Sequence, residues 1–267
     1  ALLAWPALSN TTAVDQQSFL YPEERHETIG EIVTQFVQKS HYNRVAVDDD
    51  LSSKVYDLFI ESLDRNRMYL LKGDIEYFES LRYELDDIVK SEPMDPIFEV
   101  FQIYQTRVRE RLTYALTQLE SEPDFSLDES YQFDRSEEPW VESSAELDEI
   151  WRKRVKNDAL ALELEEEPWE KTQEVLTKRY NGYLRRLNQV NNDDVFERFM
   201  NSFAHALDPH SSYMGPRNSE EYRIQMSLSY FGIGASLQTE DDYVKIAGII
   251  PGGPAAADGS LKPEDRI

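Results

Sequence analysis

Two glycine-rich stretches mark the end of the chain and constrain its backbone more than any other feature. Gly232-Ile233-Gly234-Ala235 places two glycines around one apolar residue. Such a backbone can turn successive N–H groups into one concavity, which suits an anion such as the carboxylate that ends a peptide. Pro251-Gly252-Gly253-Pro254 ends the strand that is predicted before it, because proline has no N–H group to donate to a neighbouring strand. The pattern predicts an anion-binding loop, a strand pair and a tight turn.

The predicted strands are Ala235–Gln238 and Tyr243–Ile250, which are rich in β-branched and aromatic residues. A polar turn at Thr239–Asp242 joins them. Residues 255–257 are expected to start a short helix after the second glycine-rich stretch.

Helical periodicity dominates the chain from Pro22 to Met226, which predicts a mainly α fold built on a helical bundle. The longest helix is predicted to run from Asp95, before a proline, to Leu119. The first helix is expected to begin at Pro22 and to bury Ile29, Ile32, Val33, Phe36 and Val37. The third is expected to be capped by Asp74 and to continue as far as Ile88. The remaining predicted helices are one that follows Asp48-Asp49-Asp50 and four at 144–164, 168–188, 193–206 and 219–225.

Periodicity fails between Glu122 and Ser143, where acidic residues alternate with aromatic ones. This stretch is predicted to be an ordered loop over the bundle, anchored by aromatic side chains at positions 125, 131, 133 and 140.

Composition excludes several classes of function. Acidic residues outnumber basic ones by 52 to 28, and the formal charge of −24 repels nucleic acid and anionic lipid. The chain has no cysteine, so it contains no disulfide, thiolate nucleophile or zinc–thiolate site.

The segment Ala1–Ser9 lacks an initiator methionine and is typical of the end of a signal peptide, which indicates export. The alternative is a short buried segment, since nine residues are too few to span a bilayer. The expected organisation is a signal-peptide remnant and disordered lead at 1–18, an all-helical domain at 19–221 and a truncated β domain at 222–267.

His205, Asp208 and His210 lie close together in the sequence and could be proposed as a metal site, or as a triad with Ser211 or Ser212. Asp-Pro ends a helix here, however, and sequence neighbours rarely converge on one reacting atom. A structural role is favoured, and we predict no metal, no cofactor and no catalytic group in this chain.

The four features from residue 232 to 267 resemble the first half of a PDZ domain of the bacterial type. These are G-I-G-A, the hairpin, I-x-P-G-G-P-A and L-x-P-x-D-x-I. The family usually has glycine before the aspartate of the last motif, and Glu264 stands there instead. We therefore expect a less tight turn, and weak peptide binding by a half domain.

Segments throughout the chain resemble the tail-specific proteases, which are C-terminal processing peptidases of the bacterial periplasm. They include S-H-Y at 40–42, D-R-S-x-x-P-W at 134–140, D-V-F at 194–196, D-P-H-S-S-Y-M-G-P-R-N at 208–218, M-S-L-S-Y-F-G-I-G-A-S-L-Q at 226–238 and P-G-G-P-A-A at 251–256. In that family a serine nucleophile and a lysine base follow in a further domain. The resemblance implies that both catalytic residues belong downstream of Ile267.

The resemblance also implies the role of the glycine-rich loop. Gly232, Ile233, Gly234 and Ala235 would bind the carboxylate of unfolded, apolar C-termini of exported proteins. Ser236, Leu237 and Gln238 would form an edge strand that pairs with the substrate. It further implies a periplasmic location, peripheral to the inner membrane, with an adaptor protein as a further partner. The alternative from another class is a helical scaffold whose PDZ-like module binds partners without cleaving them.

Overall fold

A computed structural model of the protein describes residues 19–164, 168–227, 232–240 and 243–267. Within these ranges it contains ten α-helices and one two-stranded antiparallel sheet, so the predicted mainly α fold is confirmed. The chain forms two compact units, Ala1–Tyr213 and Met214–Ile267. The predicted domain limits after residues 18 and 221 stay predictions, and segment 1–18 lies outside the described residues.

The first unit contains eight α-helices in the described ranges, and side-chain caps begin several of them. Asp48 accepts the amide of Leu51 at the start of α2, and Asn191 accepts the amide of Asp194 at the start of α8. The helices are α1 Glu24–Ser40, α2 Asp49–Asp64, α3 Lys72–Phe78, α4 Leu85–Lys90, α5 Asp95–Gln118, α6 Ser144–Glu163, α7 Trp169–Asn188 and α8 Asn192–Leu207.

Two clusters of buried side chains form the core of this unit. The first joins α1, α2, α3, α4, α8 and the start of α5. The second joins the end of α5 to α6 and α7, around the fully buried Trp151 and Tyr180. With 24 residues, α5 is the longest helix of the described chain, as predicted, and it contributes to both clusters.

The buried face of α1 differs from the predicted one. Ile32 and Phe36 are exposed, whereas the polar residues His26 and Thr34 are buried. His26 enters the core because both ring nitrogens find partners: Nδ1 accepts the Glu23 amide at 3.1 Å, and Nε2 lies 2.9 Å from a carboxylate oxygen of α8. Its ring also stacks on a phenylalanine of α8.

The predicted third helix is not continuous. It is divided into α3, a 3₁₀ turn at Glu79–Leu81 and α4. Asp74 lies in the first turn of α3 and accepts the amide of Leu71, so it caps the helix from inside rather than before it. The Oγ atom of Ser52 in α2 accepts the first amide of α4, that of Leu85, at 2.9 Å. A partner from another helix thus fixes the start of α4.

The loop between α5 and α6 lacks helices and strands in the structure, as predicted. Trp140 packs against the first core cluster and Phe125 against the second, whereas Phe133 is exposed. Glu129 forms ion pairs with Arg152 and Lys156 of α6, so opposite charges as well as aromatic side chains hold the loop.

The second unit contains α9 Pro216–Ser227, β1 Ala235–Glu240, β2 Tyr243–Ile249 and α10 Pro254–Asp258. The strands pair antiparallel, with an irregularity between Ser236 and Leu237. Part of the predicted turn, residues 241 and 242, lies outside the described residues. The chain end adds a short pairing on the other side of β2, where Ile267 donates its amide to Val244. Ile246 in the centre of β2 is fully buried.

Glu264 has a left-handed backbone, with φ at 77°. The turn around it is closed by the Lys262 amide, which donates to the Asp265 carboxylate at 2.8 Å. The expectation of a looser turn is therefore wrong, because Glu264 adopts the conformation that usually belongs to glycine.

Candidate functional site: the glycine loop and the edge of the sheet

The glycine loop is held against the turn that follows β2. Gly234 has φ at 79°, and a Cβ atom added to it would lie 3.0 Å from Gly253 Cα and from Pro254 Cδ. A side chain at this position would strain the backbone and collide with the turn. Glycine is therefore required here for conformation and for space.

Two carbonyl groups of the loop accept hydrogen bonds from the residues that follow β2. Ile233 O accepts the amide of Ala255 at 2.8 Å, and Gly234 O accepts the amide of Ile250 at 2.8 Å. In a planar trans peptide the N–H points opposite to the carbonyl that precedes it. The amides of Gly234 and Ala235 therefore point away from residues 250–255. This leaves two successive N–H groups on the opposite side of the loop.

Strand β1 continues directly from this loop. It pairs with β2 on one side, and no strand of the described ranges pairs with its other side. Leu237 is about half exposed, and Ser236 directs its Oγ atom to Gly248 O at 3.3 Å. The seven residues predicted as a site, 232–238, thus follow one another as loop and edge strand, and Gly234 and Ala235 are buried among them. Their role in binding stays a prediction.

The histidines near the end of α8 do not form the metal site or triad that their spacing in the sequence could suggest. His205 and His210 are exposed, and the Asp208 carboxylate accepts the His210 amide at 2.9 Å, which closes the turn after the helix. In the described part of the chain, no three His, Asp or Glu side chains converge as metal ligands.

Sequence reasoning missed one contact between a serine and a histidine, because the two residues lie 170 positions apart. The His41 Nε2 atom is 3.4 Å from Ser211 Oγ. The Nδ1 atom of His41 accepts the Asn43 amide at 3.4 Å, so the ring is bonded on that side while Nε2 faces the serine. The contact with the serine is longer than the usual hydrogen bond of about 2.7–3.2 Å and defines no catalytic pair.

The chain combines a mainly helical unit with a second, smaller unit in which a glycine loop leads into a two-stranded sheet. The family described as the tail-specific protease N-terminal domain matches residues 32–217. The tail-specific protease of Haemophilus influenzae is 36% identical over 230 residues, which are 86% of this chain and 33% of the relative. The chain belongs to the tail-specific protease family, and it spans about a third of the length of this curated relative. None of the described helices has the length and apolar character needed to cross a membrane.

Proposed function

We propose that this chain is the substrate-recognition portion of a tail-specific endopeptidase. Its loop at Gly232–Ala235 binds the carboxylate that ends a substrate chain, and the edge of β1 at Ser236–Gln238 pairs with the last residues of that substrate. The chain supplies no catalytic group of its own, so it is inactive alone.

The single observation that carries the proposal is the orientation of the loop. Two carbonyls are bound to the turn after β2, so the Gly234 and Ala235 amides face the opposite side together. Two adjacent N–H donors without a side chain between them match the two oxygens of a carboxylate. Because these N–H groups belong to the backbone of the loop and bind the terminal carboxylate, this contact does not depend on the substrate's sequence.

The edge of β1 supports the same role. An extended peptide can add to an unpaired strand edge through main-chain hydrogen bonds, while alternate side chains contact the surface. The exposed Leu237 offers an apolar contact beside that edge, which favours apolar tails over charged ones.

We propose that the residues that cleave the substrate lie outside this chain. We propose that the parent protein uses a serine nucleophile and a lysine base whose pKa is lowered by desolvation. We place the parent protein in the periplasm, peripheral to the inner membrane, acting on exported proteins with unfolded apolar C-termini. The helical unit would shape access and hold an adaptor protein.

The test replaces one amide donor in a longer polypeptide that contains this chain and the remaining length found in its relatives. Ala235→Pro removes an N–H that points away from β2, so no bond of the ladder is lost. We expect kcat/KM on an apolar-tailed unfolded reporter to fall at least tenfold, mainly through KM. Unchanged kcat/KM in a folded variant would refute carboxylate binding by this loop. Binding of the reporter without cleavage by the unsubstituted polypeptide would favour the scaffold.

A further inference from the structure

A cavity of about 350 Å³ opens on the helical unit between α2, α3 and the loop before α6. Tyr56, Ile60, Ile75 and Trp140 form its apolar lining. Sites that bind small ligands have volumes from about 300 Å³ upward and combine apolar walls with a few polar groups. The cavity has the size and character of such a site, and the residues of the glycine loop are not among its lining.

Most charged groups around the cavity already have partners. Arg82 binds Asp57 at 2.8 Å, and the Nε atom of Arg65 lies 3.4 Å from a carboxylate oxygen of Glu61. The buried carboxylate of Asp64 accepts three backbone amides of the turn that follows α2. Each of these groups therefore already has a partner of opposite charge or a hydrogen-bond donor.

Arg67 differs from them. Its φ is 52°, a left-handed conformation that is unfavourable for a residue with a side chain. Its guanidinium carbon lies 5.3 Å from the centroid of the Trp140 ring, above the apolar lining. No carboxylate of the described residues forms an ion pair with it, including the exposed Glu137 at the rim. A cation thus stands over an apolar surface without an anion.

A second arginine lies in the loop beside the cavity. The Nε atom of Arg135 is buried and has no hydrogen-bond partner in the described chain. The next residue, Ser136, lines the cavity. The charge of Arg135 acts on the buried Asp64 carboxylate, so in the described chain Arg67 is the cation of this cavity that is left for a negatively charged ligand.

We propose that this cavity binds the C-terminal residue of a polypeptide, with its carboxylate on Arg67 and its apolar side chain on Trp140 and Ile60. A guanidinium group can form two parallel hydrogen bonds with a carboxylate. The apolar lining favours a carboxylate that carries an apolar side chain over an inorganic anion. The inference deepens the proposed function and rests on it, because the helical unit then holds a substrate end at a second place.

The test measures binding of acetyl-Ala-Ala-Leu and of its C-terminal amide to the chain of residues 1–267 by calorimetry. The indole N–H resonance of Trp140 reports on the place of binding. We expect the free acid to bind at least tenfold more tightly than the amide and to shift the Trp140 resonance, while inorganic phosphate does not compete. Equal affinities, no binding, displacement by phosphate or an unmoved Trp140 resonance would each overturn the proposal.

Three variants separate binding from folding. Arg67→Gly removes the guanidinium and suits the left-handed backbone, so Tm should be kept or raised while affinity falls at least tenfold. Arg65→Gln, two positions away, should change affinity less than twofold. Loss of binding in Gly234→Ala but not in Arg67→Gly would overturn the cavity site and would instead assign the binding to the glycine loop. Loss of binding in Arg67→Gly but not in Gly234→Ala would support the cavity as the binding site. If the longer polypeptide then shows no peptidase activity, the proposed function fails but the cavity site does not.

Discussion

The two units of this protein are stabilised in different ways. The helical unit buries large aromatic and aliphatic side chains in two clusters, with Trp151, Tyr180 and Phe199 fully inaccessible to solvent. In the described part of the second unit the buried apolar residues are Ala235, Ile246 and Ala255, two of them alanines. That unit relies on backbone hydrogen bonds, and on residues with positive φ.

This difference bears on function. A unit held by side-chain burial has a shape that tolerates changes on its surface, because most of its stability comes from the core. A loop held by its own carbonyls and by glycine exposes backbone N–H groups, which can bind a ligand's main chain. The features that suit the second unit to the proposed recognition role also limit its stability, since small β units bury little apolar surface.

The largest expected effect tests the role of burial in the helical unit. Trp151→Ala removes a fully buried indole that also donates to Met68 O at 2.7 Å. We expect the free energy of unfolding to fall by about 3–5 kcal/mol, measured by denaturant titration with far-ultraviolet circular dichroism. Trp169→Ala, at a half-buried tryptophan, should cost clearly less. Equal losses in both variants would contradict the account of the core.

The next effect tests the glycine geometry of the second unit. Gly234 and Gly252 both have φ at 79°, but a Cβ atom would collide with the turn only at Gly234. Gly252→Ala should cost about 1–2 kcal/mol from backbone strain alone, and Gly234→Ala should cost more. Hydrogen exchange of the Ile250 amide, which is bound to Gly234 O, measures the difference. Similar exchange in the two variants would show that close packing of the loop is unimportant.

A smaller effect of opposite sign is expected at Glu264. Glu264→Gly relieves a left-handed backbone but gives up the exposed ion pair with Lys245 and adds chain entropy. The net gain should be about 0.5 kcal/mol, seen as slower hydrogen exchange at Ile246, whose amide bonds to the same turn. Glu264→Gln keeps the strain and should show no gain. A loss of protection in Glu264→Gly would mean that the backbone is not strained there.

The smallest effect concerns the ionic contacts of the loop before α6. Side-chain bonds from Arg152 and Lys156 lower the pKa of Glu129 from 4.5 to about 2. Because the pKa in the folded state is depressed, this stabilisation is complete above about pH 4.5 and is lost as the pH falls toward 2. We expect loop amides to exchange faster at acid pH, after correction for intrinsic rates, while the helices persist.

Two variants check this pH dependence. Glu129→Gln should remove the acid-dependent part of the exchange, and Glu122→Gln, an exposed acid of the same loop, should leave it unchanged. Unfolding of the helices in the same pH range would contradict a unit that depends on burial and only slightly on surface charge.

Helices with local signals could be predicted from sequence. Asp95-Pro96 predicts the start of α5 to within a residue, and the glycine-rich stretches predict the loop, both strands and α10. These features depend on φ, on caps and on missing N–H groups, which neighbouring residues determine.

Features that depend on distant partners could not be predicted. The face that α1 buries is set partly by the bond from His26 to Asp193, a residue 167 positions away. The start of α4 depends on Ser52 in α2. Similarly, the cavity beneath Arg67 requires Trp140 from a loop that has no periodic pattern. Only the folded chain brings such pairs together.

Recognition of the substrate's C-terminus is tested by a cleavage assay with the longer polypeptide that contains this chain. Two unfolded reporters, identical except for an apolar or a charged C-terminus, are compared at equal concentration. We expect the apolar-tailed reporter to be cleaved and the charged-tailed one to be largely spared. Equal cleavage of both reporters would contradict recognition of the substrate's end by this chain.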